Sequence, residues 1–170
     1  IRKASMYHYF SGKEELLHGI IRSHIRRARP AGGFSHCRGV EETLRSFGSR
    51  VLEGFDDPAN RDFLQLLLQD CGSDSYVRRA FFSIAGKTMR EARSAMKPPR
   101  FSGNFKLGTR KHLRCIHQFM GSLLHYALES KIWKAGPSRA FSDREYVNSL
   151  ARIFARGMRA LAVALTVIHA

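Results

Sequence analysis

The chain has 170 residues, of which 44% are hydrophobic, enough to bury a sizeable core without disulfides or metals and too apolar for wholesale disorder. Its 29 Lys and Arg stand against 14 Asp and Glu, a formal net charge of +15 and a pI near 10.6, which points to a polyanionic partner, nucleic acid first. Three dispersed cysteines, Cys37, Cys71 and Cys115, form no CxxC pair, so neither a disulfide framework nor a zinc ribbon is expected; they read as reduced thiols of a cytoplasmic protein. No membrane partner is expected, because the longest apolar run, Leu161 to Ile168, is too short to span a bilayer.

Apolar residues recur at three- and four-residue spacing nearly throughout and strand-like alternation is absent, so the fold class is all-α. A short aromatic segment, residues 2–9, opens the chain. A second helix is expected from Ser11-Gly12 to about Arg29, capped by Ser11 with Glu14 reaching back or by Gly12 itself, with Leu16, Leu17, Ile20, Ile21 and Ile25 as its apolar stripe. Pro30-Ala31-Gly32-Gly33 stops it. Val40 to Phe55 forms the next, with Leu44, Phe47, Val51, Leu52 and Phe55 inward. Asp57-Pro58 suits a cap and first turn for a helix to about Cys71, apolar nearly all round and therefore buried. Ser73 or Asp74 caps a long helix to about Lys97, ended by Pro98-Pro99. Thr109 to Lys134 and Ser142 to Ile168 complete the chain, the last opened by the capping box Ser142-Asp143-Arg144-Glu145.

Ile1 to Leu17 reads I-R-K-A-S-M-Y-H-Y-F-S-G-K-E-E-L-L. This stretch resembles the end of the helix-turn-helix in TetR-family transcriptional regulators, matching at Ser5, Tyr7, Tyr9, Phe10, Lys13, Glu14 and Leu16. Motif identity covers about a tenth of the chain, while the succession of helices fits throughout. Two positions depart from the pattern: Arg2 and Gly12 stand where the family usually has capping serines.

The resemblance implies a repressor released from operator DNA by a small effector. Arg2, Lys3, Ser5 and His8 supply the polar face of the recognition helix, and phosphate contacts fall to Tyr7, His8 and Lys13. It divides the chain into a remnant DNA-binding region, 1–29, and a ligand-binding and dimerisation domain, 30–170. The first helix and turn of a helix-turn-helix are expected before Ile1, so operator binding is expected of the intact protein only.

The expected dimer interface is a four-helix bundle of the last two helices, with Gly121, Leu124, Phe154, Gly157 and Leu161 at the contact. An apolar effector is expected between walls that include Phe63, Leu67, Phe81, Met89, Phe119 and Leu123, with His117, Gln69 and Gln118 the nearest polar groups. The alternative is a dimeric small-molecule-binding module without DNA binding.

Other motifs carry less. Gly86-Lys87-Thr88 ends like a phosphate-binding loop, but Phe81 stands where that motif needs glycine. His112 and Cys115 share a helix face without a third convergent ligand, so no metal and no cofactor is expected. The basic run from Arg93 to Arg114 reads as a solvated face. No arrangement of nucleophile, base and acid supports an enzyme.

Overall fold

A computed structural model describes residues 9–27, 37–96 and 110–167, apart from the side chains at 95, 111, 112, 139 and 161–167. Six α-helices account for most of them: α1 (Lys13–Arg27), α2 (Val40–Glu53), α3 (Pro58–Asp70), α4 (Ser75–Ala95), α5 (Arg110–Ala127) and α6 (Asp143–Val167). A π-helical turn, Leu128–Ile132, extends α5, and a 3-10 turn, Pro137–Ala140, precedes α6. No strand occurs among the described residues, so the expected all-α class holds.

Local chemistry sets the helix ends. The Asp57 carboxylate accepts the Ala59 N–H at 2.9 Å with Pro58 in the first turn, and Asp74 accepts the N–H groups of Tyr76 and Val77 at 2.7 and 3.2 Å. Ser142 and Glu145 form the reciprocal capping box of α6, the Glu145 carboxylate accepting the Ser142 N–H at 2.9 Å. At α1 the carboxylate reaching back is Glu15, on the Ser11 N–H at 2.6 Å, and not Glu14. The helix begins one residue later than a Ser11 cap requires, which moves the reaching position along by one.

Two apolar clusters share the interior. The larger unites α2, α5 and α6 with the end of α4, through Leu44, Phe47, Met96, Phe119, Leu123 and Met158 among others. Gly48 lets α2 and α6 approach closely: a Cβ there would lie 3.0 Å from Val147 Cγ1. The smaller cluster joins Leu17 and Ile21 of α1 to Phe63 and Leu67 of α3 and to Val77 and Ala80 of α4. Helix α4 therefore spans both clusters, and between Ala80 and Ala92 it has no buried residue.

The stripe of α1 is narrower than its spacing suggests. Ile20 and Ile25 are exposed, because among the described residues the helix meets α3 and α4 along one edge, through Leu17, His18, Ile21 and His24. Leu68 is also exposed, so α3 is buried on one side and not all round.

The turn between α5 and α6 is densely tied. Lys131 Nζ lies 2.8 Å from Asp56 and 2.6 Å from Asp143, joining this turn to the end of α2 and the start of α6. Burial works against the Lys131 charge, but hydrogen bonds to the two carboxylates raise its pKa all the same. Tyr126 stacks on Tyr146 with ring centroids 4.0 Å apart, and its hydroxyl is 3.0 Å from both the Phe141 carbonyl and Asp143. Burial first, then Asp143, pushes the Tyr126 phenol up to about 12. Gly136, at φ 86°, admits the Glu129 carboxylate, which accepts from the Ser138 hydroxyl.

Candidate functional site

Of the six residues expected to meet DNA, Arg2, Lys3, Ser5, Tyr7 and His8 lie outside the described residues. Lys13 is described: it is the exposed first residue of α1, followed in the first turn by Glu14 and Glu15.

Behind Lys13, two histidines that sequence reasoning passed over fasten α1 to the rest of the fold. His18 Nε2 lies 2.9 Å from Asp74 Oδ2, and its ring rests on Tyr76 with centroids 4.0 Å apart. One further turn and a half along, His24 stacks on Phe63 at 3.7 Å and 14°. Burial against that ring lowers the His24 pKa, while Asp57 pulls the other way. His18, Ile21 and His24 follow a three-residue spacing, the signal that could have marked this edge of the helix as the docking edge.

The seven residues of the expected effector site do not form one cavity wall. Phe63 and Leu67 belong to the smaller cluster and Phe81 packs against it; Phe119 and Leu123 belong to the larger, and Met89 packs against that one. His117 is exposed, as are Gln69 and Gln118. Along mid-α4 runs a half-covered seam, with Phe81 and Ile84 packed against the smaller cluster and Met89 against the larger.

Of the residues expected at a dimer contact, Gly121 and Gly157 lie on outer faces of α5 and α6, while Phe154 packs against the larger cluster. Gly121 and Gly157 are exposed, and a Cβ on either would meet nothing within 4 Å. Ile153, one turn before Gly157, is 63% exposed; Leu124 and Phe154 are half-buried, the latter edge-on to Phe119. Leu161 falls in α6, but its side chain lies outside the described ones.

Two surface grooves are lined by none of the seven effector-site residues. One, of about 600 Å³, runs between α2 and α6 past Arg45, Ser49, Asn148 and Arg152; the other, of about 450 Å³, lies over the π turn beside Lys131 and Phe141. Asp143 and Arg144 line both. No group of three or more metal-ligating side chains occurs among the described residues. Among those residues no helix is long and apolar enough to cross a membrane.

The chain matches no family model, and no curated protein or solved structure is significantly similar to it.

Proposed function

We propose that this chain is a TetR-like DNA-binding transcriptional regulator, a homodimer that releases its operator when a small apolar molecule binds. The observation that carries the proposal is the run from Ser5 to Leu16, with its matched Tyr7, Tyr9, Phe10, Lys13 and Glu14, leading directly into α1. The docking of α1 supports it. A helix carrying a DNA-contacting segment at its start, and held to α3 and α4 along one narrow edge, can transmit a change in either.

The mechanism is one of differential affinity. An effector entering the half-covered seam of α4 would be held by apolar burial, at roughly 25 cal/mol per Å². It would bias the position of α1, and so the spacing of two recognition segments across a two-fold axis. An effector indifferent to that spacing would shift nothing.

The decisive experiment uses the product of the complete reading frame, with selection of duplexes by affinity followed by anisotropy titrations at several salt concentrations. We expect a short palindromic site and a steep loss of affinity with salt. Lys13→Ala should weaken binding about equally across sequences and reduce the salt slope by about one, as loss of one phosphate contact does. A product with no saturable duplex affinity at low salt would leave only the small-molecule-binding reading.

A further inference from the structure

The two grooves adjoin at Asp143 and Arg144, which line both, and together they make a trough across the start of α6. Its positive charges differ in how they are occupied. Arg45 is engaged by Glu41 at 2.9 Å, and Lys131 by Asp56 and Asp143. Arg144 and Arg152 have no acidic partner among the described residues, and both are exposed. The trough's carboxylates are Glu53 and Asp143, and the second is already satisfied by Lys131 and the Tyr126 hydroxyl.

Arg144 and Arg152 are eight residues apart on α6, about 12 Å along the axis, with Asn148 between them. Two guanidiniums so placed suit several linked anionic groups better than one compact anion. Arginine forks bind phosphate oxygens in pairs, and are more weakly hydrated than ammonium groups. Phe141, 55% exposed, lines the second groove just before the capped start of α6. Guanidiniums along one groove and an exposed ring in the other together specify a ligand with linked phosphates and a flat aromatic body.

We propose that this trough binds a nucleoside polyphosphate, its phosphates on Arg144 and Arg152 and its base against Phe141. The site is separate from the α4 seam and from Lys13, and it stands whether or not the chain regulates transcription.

Calorimetric titration of the 170-residue chain with ATP, at 0.15 M salt and without divalent metal, tests it. Saturable binding at one site per chain is expected. Arg144→Gln with Arg152→Gln should weaken it at least tenfold, whereas Arg78→Gln with Arg79→Gln, an equal loss of exposed charge on α4, should change it less than twofold. Phe141→Ala should weaken ATP about fivefold or more and leave tripolyphosphate unaffected. All five side chains are exposed, and circular dichroism melts check that each variant keeps its fold. Three results each overturn the proposal: no saturable heat, equal weakening by the two arginine pairs, or the same response of ATP and tripolyphosphate to Phe141→Ala.

Discussion

His18 of α1 is hydrogen-bonded to Asp74, the residue that caps α4, with 2.9 Å between Nε2 and Oδ2. One carboxylate thus serves two purposes. Its Oδ1 accepts the first free N–H groups of α4, and its Oδ2 holds a helix 56 residues earlier in the chain. Asp74→Ala removes both, and should lower Tm by roughly 2–4 °C or more in a domain of this size. Asp74→Asn keeps a capping oxygen and should cost less. The hydrogen bond from His18, followed by those from the Val77 and Tyr76 N–H groups, holds the Asp74 carboxyl below its ordinary value. A carboxyl depressed by folding contributes stability that is present above its unfolded pKa, about 3.9, and lost as pH falls through the lower folded value. Asp74→Asn should therefore flatten the acid limb of a Tm-against-pH curve below about pH 4, as well as lowering it.

His24 makes the opposite kind of contact, a half-buried stack on Phe63 that favours the neutral ring. Its pKa is lowered by folding, so its contribution is present above the unfolded value, near 6.5, and declines as pH falls through the folded one. Docking of α1 should loosen as pH falls below about 6.5. Hydrogen exchange of the α1 amides across that range measures it directly. His24→Phe keeps the ring against Phe63, has no proton to gain, and should abolish the pH dependence. An unchanged slope in that variant would place the titrating group elsewhere.

These contacts mark the boundary of what the chain's one-dimensional pattern reveals. Helix existence follows from the three- and four-residue apolar spacing, and the caps at Asp57, Asp74 and Ser142 follow from side chains able to accept N–H bonds where helices start. Which of several apolar residues faces inward does not follow. Ile20, Ile25 and Leu68 sit in good periodic positions and are exposed, because periodicity defines a stripe and not how much of it a neighbour covers. The candidate site was harder still. Phe63 and Phe119 are equally apolar in sequence, yet they fall into separate clusters, a division set by the path of α4 across both. The Arg144–Phe141 trough depends on the turn that carries Lys131 between Asp56 and Asp143, a contact spanning 75 residues of chain.

Gly48 tests the closeness of α2 and α6. An added Cβ would stand 3.0 Å from Val147 Cγ1 and 3.4 Å from Phe119 Cζ, in the middle of the larger cluster. Gly48→Ala gains helix propensity but overpacks this contact, and should destabilise by about 1–3 kcal/mol in urea denaturation. Adding Val147→Ala removes the nearer obstacle. The pair should then cost less than the sum of the two single changes, a coupling that a double-mutant cycle reads directly.

Gly121 and Gly157 invert this logic. Nothing lies within 4 Å of a Cβ built on either, so within a single chain their substitution by Ala is free of steric cost. Each should then stabilise its helix by roughly 0.5–1 kcal/mol, the ordinary gain of Ala over Gly in a helix interior. If α5 and α6 pair with a second copy of themselves in the proposed four-helix bundle, these two positions are where backbones would approach, and the sign reverses. A methyl group on both helices of both chains would hold them apart, while the exposed Ile153 beside Gly157 would lose its cover. Sedimentation of the 170-residue chain should show a dimer that Gly121→Ala with Gly157→Ala shifts toward monomer, with the melting midpoint falling and becoming more concentration-dependent. Ile153→Lys should act in the same direction by leaving a charge in an apolar contact. If the double alanine variant instead melts higher and its sedimentation is unchanged, these faces meet solvent and the dimer, if one forms, uses another surface.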